Sequence, residues 1–218
     1  MSRYVVVDLE FCRVPDSRRK EFNVKQEIIQ IGAVLLNSEY EVIDKFSSFV
    51  KPSYGEIDPF IQELTGISNH DVKDASDIET VLGTFFRWLP DDTVPVSWSD
   101  SDIKQLLHET VEKDLVMPTL EDLSEVWTDC QKEFSNKLDT RRCYSLEEAL
   151  TATDIMPEGH AHDGLDDAAN TARLFSKIRT EDKLKLNPYY AMVHYETEKE
   201  PLTFTMGDLF AGLNLAAG

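Results

Sequence analysis

Three clusters of acids could do chemistry together, and each stands at the end of an element. In Tyr4-Val5-Val6-Val7-Asp8-Leu9-Glu10-Phe11 a β-branched run predicts a strand buried on both faces, with Asp8 and Glu10 near its end. Residues two apart on a strand share a face, so these two carboxylates project together while Leu9 turns the other way. Two ionised carboxylates beside a core repel each other, at a cost of several kcal/mol unless something neutralises them. A divalent cation of the hard, oxygen-loving kind, magnesium or manganese, would do so. The other account is a strand that surfaces at Asp8 and leaves two solvated acids. The second cluster, Asp100 and Asp102, follows the apolar Val94-Pro95-Val96-Ser97-Trp98. Asp102 reads there as a ligand or as a helix cap, a role Asp100 or Ser101 could also fill.

The third cluster, Asp163, Asp166 and Asp167, stands beside His162 where a helix opens. Helical phase divides it. Asp167, Thr171, Leu174 and Ile178 form one stripe beside Ala168, Ala172 and Phe175, the face that packs inward. Asp166, Asn170, Arg173 and Lys177 form a polar stripe, which puts Asp166 towards water. His162 lies in the preceding loop and is free to approach what Asp167 approaches.

Positioning these groups takes a real core. The chain has 218 residues, 41% of them hydrophobic, which suits one domain with an appendage. Strands are predicted at Ile28 to Leu36 and Glu41 to Val50, joined through Asn37-Ser38-Glu39, and at Val94 to Trp98. Helices are predicted over Asp58 to Leu64, with Pro59 near the start and Thr65-Gly66 at the end, and over Ala75 to Leu89. A third follows Asp102, with Ile103, Leu106, Leu107 and Val111 on its apolar face. Leu120, Leu123, Trp127, Cys130 and Phe134 recur at helical steps, and Ser145-Leu146-Glu147-Glu148 is a capping box opening a helix through Leu150. Pro157-Glu158-Gly159 breaks the chain before the last motif. Cys12 to Lys20 reads as a loop with a small basic cluster, a solvated run or a phosphate contact.

The start shows no apolar signal segment and the chain no span long enough for a bilayer, so no membrane partner is expected. Three cysteines without metal-finger spacing (Cys12, Cys130, Cys143) read as free thiols, and the expected compartment is the cytoplasm. With 22 basic and 41 acidic residues the net charge is −19, which excludes a broad basic surface for nucleic acid. Any nucleic acid must be held at a local site.

Asp8-x-Glu10, an aspartate after a middle strand, and His162-x4-Asp167 within HDGLDDAANTARLF together resemble the DEDD (DnaQ-like) 3′–5′ exonucleases of the histidine subtype. EIIQIGAVLL, PFIQELTGIS and CYSLEEAL strengthen the likeness, above all to the branch of sporulation-inhibitor-like exonucleases and small-RNA and histone-mRNA trimming exonucleases. The resemblance covers about residues 4–178. It implies an α/β, ribonuclease-H-like fold: a mixed five-stranded sheet flanked by helices, with a short strand near Leu123 to Trp127 against the helical pattern there. It implies an exonuclease domain over residues 1–180 and a C-terminal extension over 181–218. It further implies two ions, Mg2+ or Mn2+, held by Asp8, Glu10, Asp102 and Asp167, with His162 as general base. His160 lacks the four-residue spacing to Asp167. The implied partner is the 3′ end of single-stranded nucleic acid, RNA or DNA, and the implied product a nucleoside 5′-monophosphate. Candidates for the terminal nucleotide's pocket are Leu9, Phe11, His162 and the turn at Leu64, Thr65, Gly66 and Ile67. Trp98 reads as a core anchor or a base-stacking platform. Family members often place an aromatic immediately before the middle aspartate, where this chain has Ser101.

Two further readings come from other classes. One is a catalytically weak nucleic-acid-binding or interaction module on the same fold, which the intact set of converging acids argues against. The other is an acidic interaction protein whose tail recruits a partner. Beyond Asn187, Tyr189 to Tyr195 and Leu202 to Met206 could pair as a hairpin ahead of an apolar Leu209 to Leu213, serving as a peripheral arm or a homodimer contact.

Overall fold

In the computed structural model, which describes residues 2–188 and Tyr190, five strands form one mixed sheet. They are β1 (Arg3–Arg13), β2 (Gln26–Leu36), β3 (Val42–Phe49), β4 (Thr93–Ser97) and β5 (Thr128–Asp129), in the spatial order β3-β2-β1-β4-β5. The β1–β2 and β2–β3 pairs are antiparallel, while β4 runs parallel to β1 and β5 parallel to β4. The helices are α1 (Pro59–Thr65), α2 (Asn69–Val72), α3 (Ile78–Trp88), α4 (Ser101–Glu112), α5 (Pro118–Glu125), α6 (Cys130–Lys137), α7 (Leu146–Ala152) and α8 (Gly164–Thr180).

Strand alternation gives the sheet two cores. Val6, Val34, Leu36 and Val96 meet Ala168, Ala172, Leu174 and Phe175 of α8 on one face. Val5, Val7, Leu9 and Ile31 meet Val81, Leu82 and Phe85 of α3 and Ile103 and Leu106 of α4 on the other. This is the two-faced burial that the β-branched run of β1 requires. The sheet and its flanking helices are as expected from the resemblance.

Several elements depart from the sequence reading. β1 does not end near Glu10: a bulge between Glu10 and Phe11 carries it on to Arg13, and Cys12 is buried in a small core with Ile29, Ile57, Ile61, Ile67 and Val72. α3 begins at Ile78 because the Asp77 carboxylate accepts the Thr80 N–H at 2.8 Å and caps it there. A further short helix, α2, is opened by a Ser68–Asp71 capping box. Val111 is 69% exposed and lies off the apolar face of α4.

The helical pattern from Leu120 to Phe134 is not one helix. It is α5 and α6 separated by β5, whose residues Thr128 and Asp129 pair with Val96 and Ser97. The strand therefore falls just after the Leu123 to Trp127 segment, most of which is in α5. Leu120 and Phe134 are both fully buried, so each helix contributes its own apolar residues and the period runs through the break.

A buried ion triad was invisible in the sequence. Glu27 and Glu109 are fully buried, and Lys113 Nζ reaches them at 2.6 and 2.8 Å. Glu27 also accepts the backbone N–H groups of Ser53, Tyr54 and Gly55, and Glu109 accepts that of Ile28 at 2.9 Å. The triad fastens α4 to β2 beside the bulge. Where the described residues end, Asn187 N–H donates to Ala152 O at 2.7 Å and Tyr190 is buried against the α8-side core. Apart from Tyr190, the hairpin expected over Tyr189 to Tyr195 and Leu202 to Met206 and the apolar segment Leu209 to Leu213 lie outside the described residues.

Candidate active site

Asp8 and Glu10 of β1, Asp102 in the first turn of α4 and Asp167 in the first turn of α8 belong to one place, and the approach of α8 to the sheet depends on two glycines. Gly32 of β2 lies opposite Asp8 in the ladder, and a Cβ there would overlap the backbone of Gly164 and Leu165. A Cβ on Gly164 would in turn press on the Asp8 carbonyl, the Gln30 side chain and the Gly32 amide. Without side chains at this crossing, the first turn of α8 lies directly on β1 and β2. Asp163 caps the helix through the Leu165 and Asp166 N–H groups. Gln30, buried inside the apolar EIIQIGAVLL run, accepts the Gly164 N–H at 3.0 Å and donates to Asp163 at 3.4 Å.

This crossing brings Asp167 over Glu10 of β1. Ligand atoms of Glu10, His162 and Asp167 lie within 4.8 Å of one another, a group able to hold a metal ion. Asp8 and Asp102 belong to the same electrostatic cluster. Asp8 is pushed well above the usual carboxylate range by burial first, then by Asp102, Glu10, Asp167 and Asp163. Glu10 is pushed up to about 9 by burial and by Asp167, Asp163 and Asp102. Burial raises Asp102 to about 7 against the opposing pull of its own and the Leu9 backbone N–H groups. Asp167 is raised by burial and held back by the His162 N–H, which donates to it at 2.8 Å.

Among the described residues, no lysine or arginine makes an ion pair with any of these four acids. Four carboxylates crowded on one spot without a protein cation make an all-oxygen donor set that fits a divalent metal. Asp100 does not join them. It pairs with Lys104 and Lys132 at 2.8 and 3.2 Å, while Asp102 is buried, so the middle cluster divides into a surface acid and a site acid.

The chain belongs to the exonuclease family. Residues 5–175 match that family (RNase_T). ERI1 exoribonuclease 2 of Xenopus laevis is 32% identical over 202 aligned residues, covering 80% of this chain and 28% of that protein. DNA polymerase III subunit epsilon of Aquifex aeolicus is 30% identical over 203 residues, covering 90% of this chain and 91% of its own length. The chain spans a third or less of the length of the first curated relatives it matches. Among solved structures, the nuclease domain of 3′hExo, a DEDDh family member bound to rAMP, shares the fold. Its TM-score is 0.71 at 24% identity, over 85% of this chain and 96% of that one.

The residues put forward for an exonuclease nucleotide pocket divide on inspection. Trp98 is buried in the α8-side core, its N–H on the Tyr144 carbonyl at 3.1 Å and its ring beside Phe134. That burial supports the anchor and leaves no ring face for stacking. Leu9 packs its side chain into the α3/α4 core and faces the site only through its backbone. The Thr65 hydroxyl is occupied by Ile61 O and Ile67 N–H at the end of α1. Phe11 and Leu64 are half-buried and keep accessible side-chain surface. The polar stripe of α8 is a larger departure. Asp166 accepts the His160 N–H at 2.8 Å, and Asn170 is buried, so neither simply faces water.

Proposed function

We propose that this exonuclease domain removes nucleotides one at a time from the 3′ end of single-stranded nucleic acid, RNA or DNA, releasing nucleoside 5′-monophosphates. The observation that supports it most directly is the convergence of Glu10, Asp167 and His162 within 4.8 Å, with Asp8 and Asp102 raised in the same field. Asp8, Glu10, Asp102 and Asp167 would hold two ions, Mg2+ or Mn2+. When bound, such ions supply Lewis-acid polarisation of the scissile phosphate and neutralise charge on the departing 3′-oxygen. His162, exposed at the rim, takes the proton from the attacking water on an imidazole nitrogen. Phe11 and Leu64 would bound the terminal nucleotide, because Cys12 and Ile61 share one small core and so bring α1 against the end of β1. Relatives named as an exoribonuclease and as a DNA polymerase subunit leave both sugars within this reading.

The proposed compartment is the cytoplasm, with which three free thiols agree. No helix among the described residues is long and apolar enough to cross a membrane. The deciding experiment is digestion of 3′- and 5′-labelled single-stranded RNA and DNA with Mg2+ or Mn2+. The expected result is stepwise mononucleotide release from a free 3′-hydroxyl that stops in excess chelator. Undiminished activity in chelator, or internal fragments as first products, would overturn the reading.

A further inference from the structure

We propose that the outer stripe of α8 is a template that holds His162 against Glu10 and Asp167, and that Asp166 and Asn170 are positioning residues for turnover. The inference rests on the exonuclease reading of the site. The loop from Met156 to His162 has no apolar anchor of its own: Met156 is 78% exposed, and every residue from Glu158 to His162 is exposed. Its conformation is set by hydrogen bonds to α8. Arg173 Nη1 donates to Met156 O at 2.7 Å. Asn170 pairs with Glu158 in both directions, Nδ2 to the carbonyl at 2.9 Å and the Glu158 N–H to Oδ1 at 3.0 Å. Asp166 Oδ2 accepts the His160 N–H at 2.8 Å, and Asp167 Oδ2 accepts the His162 N–H at 2.8 Å.

Every second loop residue is therefore tied to the helix as the chain descends from Arg173 through Asn170 to Asp166 and Asp167. The first two steps, Arg173 to Asn170 and Asn170 to Asp166, each span three or four residues, about one helical turn, and the last is a tight turn closed by the Asp163 N–H on the His160 carbonyl at 3.2 Å. Two backbone features require the same contact. Gly159 has φ +76°, and a Cβ on it would overlap the Asp166 carboxylate. His162 itself adopts φ +64°, a left-handed conformation uncommon for an L-residue, with its N–H held by Asp167. Asp167 and the Asp163 N–H on the His160 carbonyl hold only the end of the loop, and leave the stretch before it free to pivot. Asp166 and Asn170 supply the points that hold it. What Asp166 contributes is an acceptor oxygen, so an amide in its place should serve almost as well as the carboxylate.

The test is single-turnover hydrolysis of a 3′-labelled oligonucleotide by the full chain at saturating Mn2+, with substrate affinity and thermal unfolding measured alongside. Asp166→Ala should slow turnover by about 10²-fold, the scale of a misplacement near 1 Å, with affinity nearly unchanged. Asp166→Asn should recover most of the rate. In a His162→Ala background, Asp166→Ala should cause no further loss, which a merely structural role would not predict. Asn170→Ala, which removes the Glu158 pair, repeats the test should Asp166→Ala not fold. The proposal is overturned if Asp166→Ala turns over normally, if Asp166→Asn is as slow as Asp166→Ala, or if the loss persists without His162. Full turnover by His162→Ala would instead overturn the reading of the site, and this inference with it.

Discussion

At neutral pH the metal-free site holds protons that an ion must displace. Burial and the neighbouring acids push Glu10 up to about 9, and burial pushes Asp102 to about 7. A carboxylate raised on folding binds more protons in the folded than in the unfolded chain between its two values, for Glu10 between 4.5 and about 9. Stability of the metal-free protein should therefore fall as pH rises through that window. Bound Mg2+ should flatten the dependence by preferring the ionised form. Two measurements check this. Thermal unfolding in chelator should drop steadily from about pH 5 to about pH 9, with saturating Mg2+ restoring most at the alkaline end. Calorimetry at about pH 7 in buffers of different ionisation enthalpy should show release of at least one proton per protein on metal binding. No release would mean that the acids are already ionised in the free protein. The candidate site residues were legible because their chemistry is improbable where it stands: acids inside an apolar strand, and a histidine in step with an inward aspartate. Asp166 and Asn170 were misread because helical phase says which way a side chain points, and nothing about a loop returning to cover it.

The glycine crossing carries the next expectation, because the strand and the helix bring their acids together only by touching. Gly32→Ala puts a methyl group into the backbone of Gly164 and Leu165, so α8 must lift from the sheet. Overpacking of this kind costs about 1–3 kcal/mol. The loss of turnover should exceed what instability explains, since Asp167 moves with the helix while Asp8 and Glu10 stay on β1. Turnover measured well below the unfolding transition separates the two, and wild-type turnover in a stably folded Gly32→Ala would show that the contact does not position Asp167. The ion triad makes a different demand. Lys113→Met strands two buried carboxylates, Glu27 and Glu109, and should destabilise the chain by about 3–5 kcal/mol. A denaturant titration measures it, and a change under about 1 kcal/mol would mean the carboxylates have found other partners. Elements with their own periodicity or cap, such as β1, α1 and α7, were legible in the sequence. The split of α5 from α6 was not, because two helices buried against different neighbours kept one apparent period. The triad was not legible either, since Glu27, Glu109 and Lys113 become partners only when the sheet and α4 have met.

For the whole molecule, charge decides how substrate can be held. At −19 the general surface repels a polyanion, and the basic run after β1 offers less relief than its composition suggests. Arg13 lies 3.8 Å from Asp58, Arg18 3.8 Å from Glu21 and Arg19 3.0 Å from Asp16. These pairs are largely exposed and weak, so a phosphate can compete for the guanidinium groups, but only a few phosphates can do so at once. Binding should therefore be confined to a few 3′-terminal nucleotides, held by the site, its ions and the first of these cations. Each neutralised phosphate contributes about −0.7 to the slope of log affinity against log salt for single strands. Two or three contacts give a slope of about −1.5 to −2 with metal held fixed. Affinity should stop rising once a strand exceeds a handful of nucleotides, and digestion should be distributive, the enzyme leaving between cuts. The measurement is binding of strands of about 4 to 20 nucleotides to metal-bound His162→Ala across a salt series, that length range bracketing the contacts the slope counts. A steep slope that keeps growing with strand length would reveal a basic track on the surface and remove charge as the limit on substrate grip.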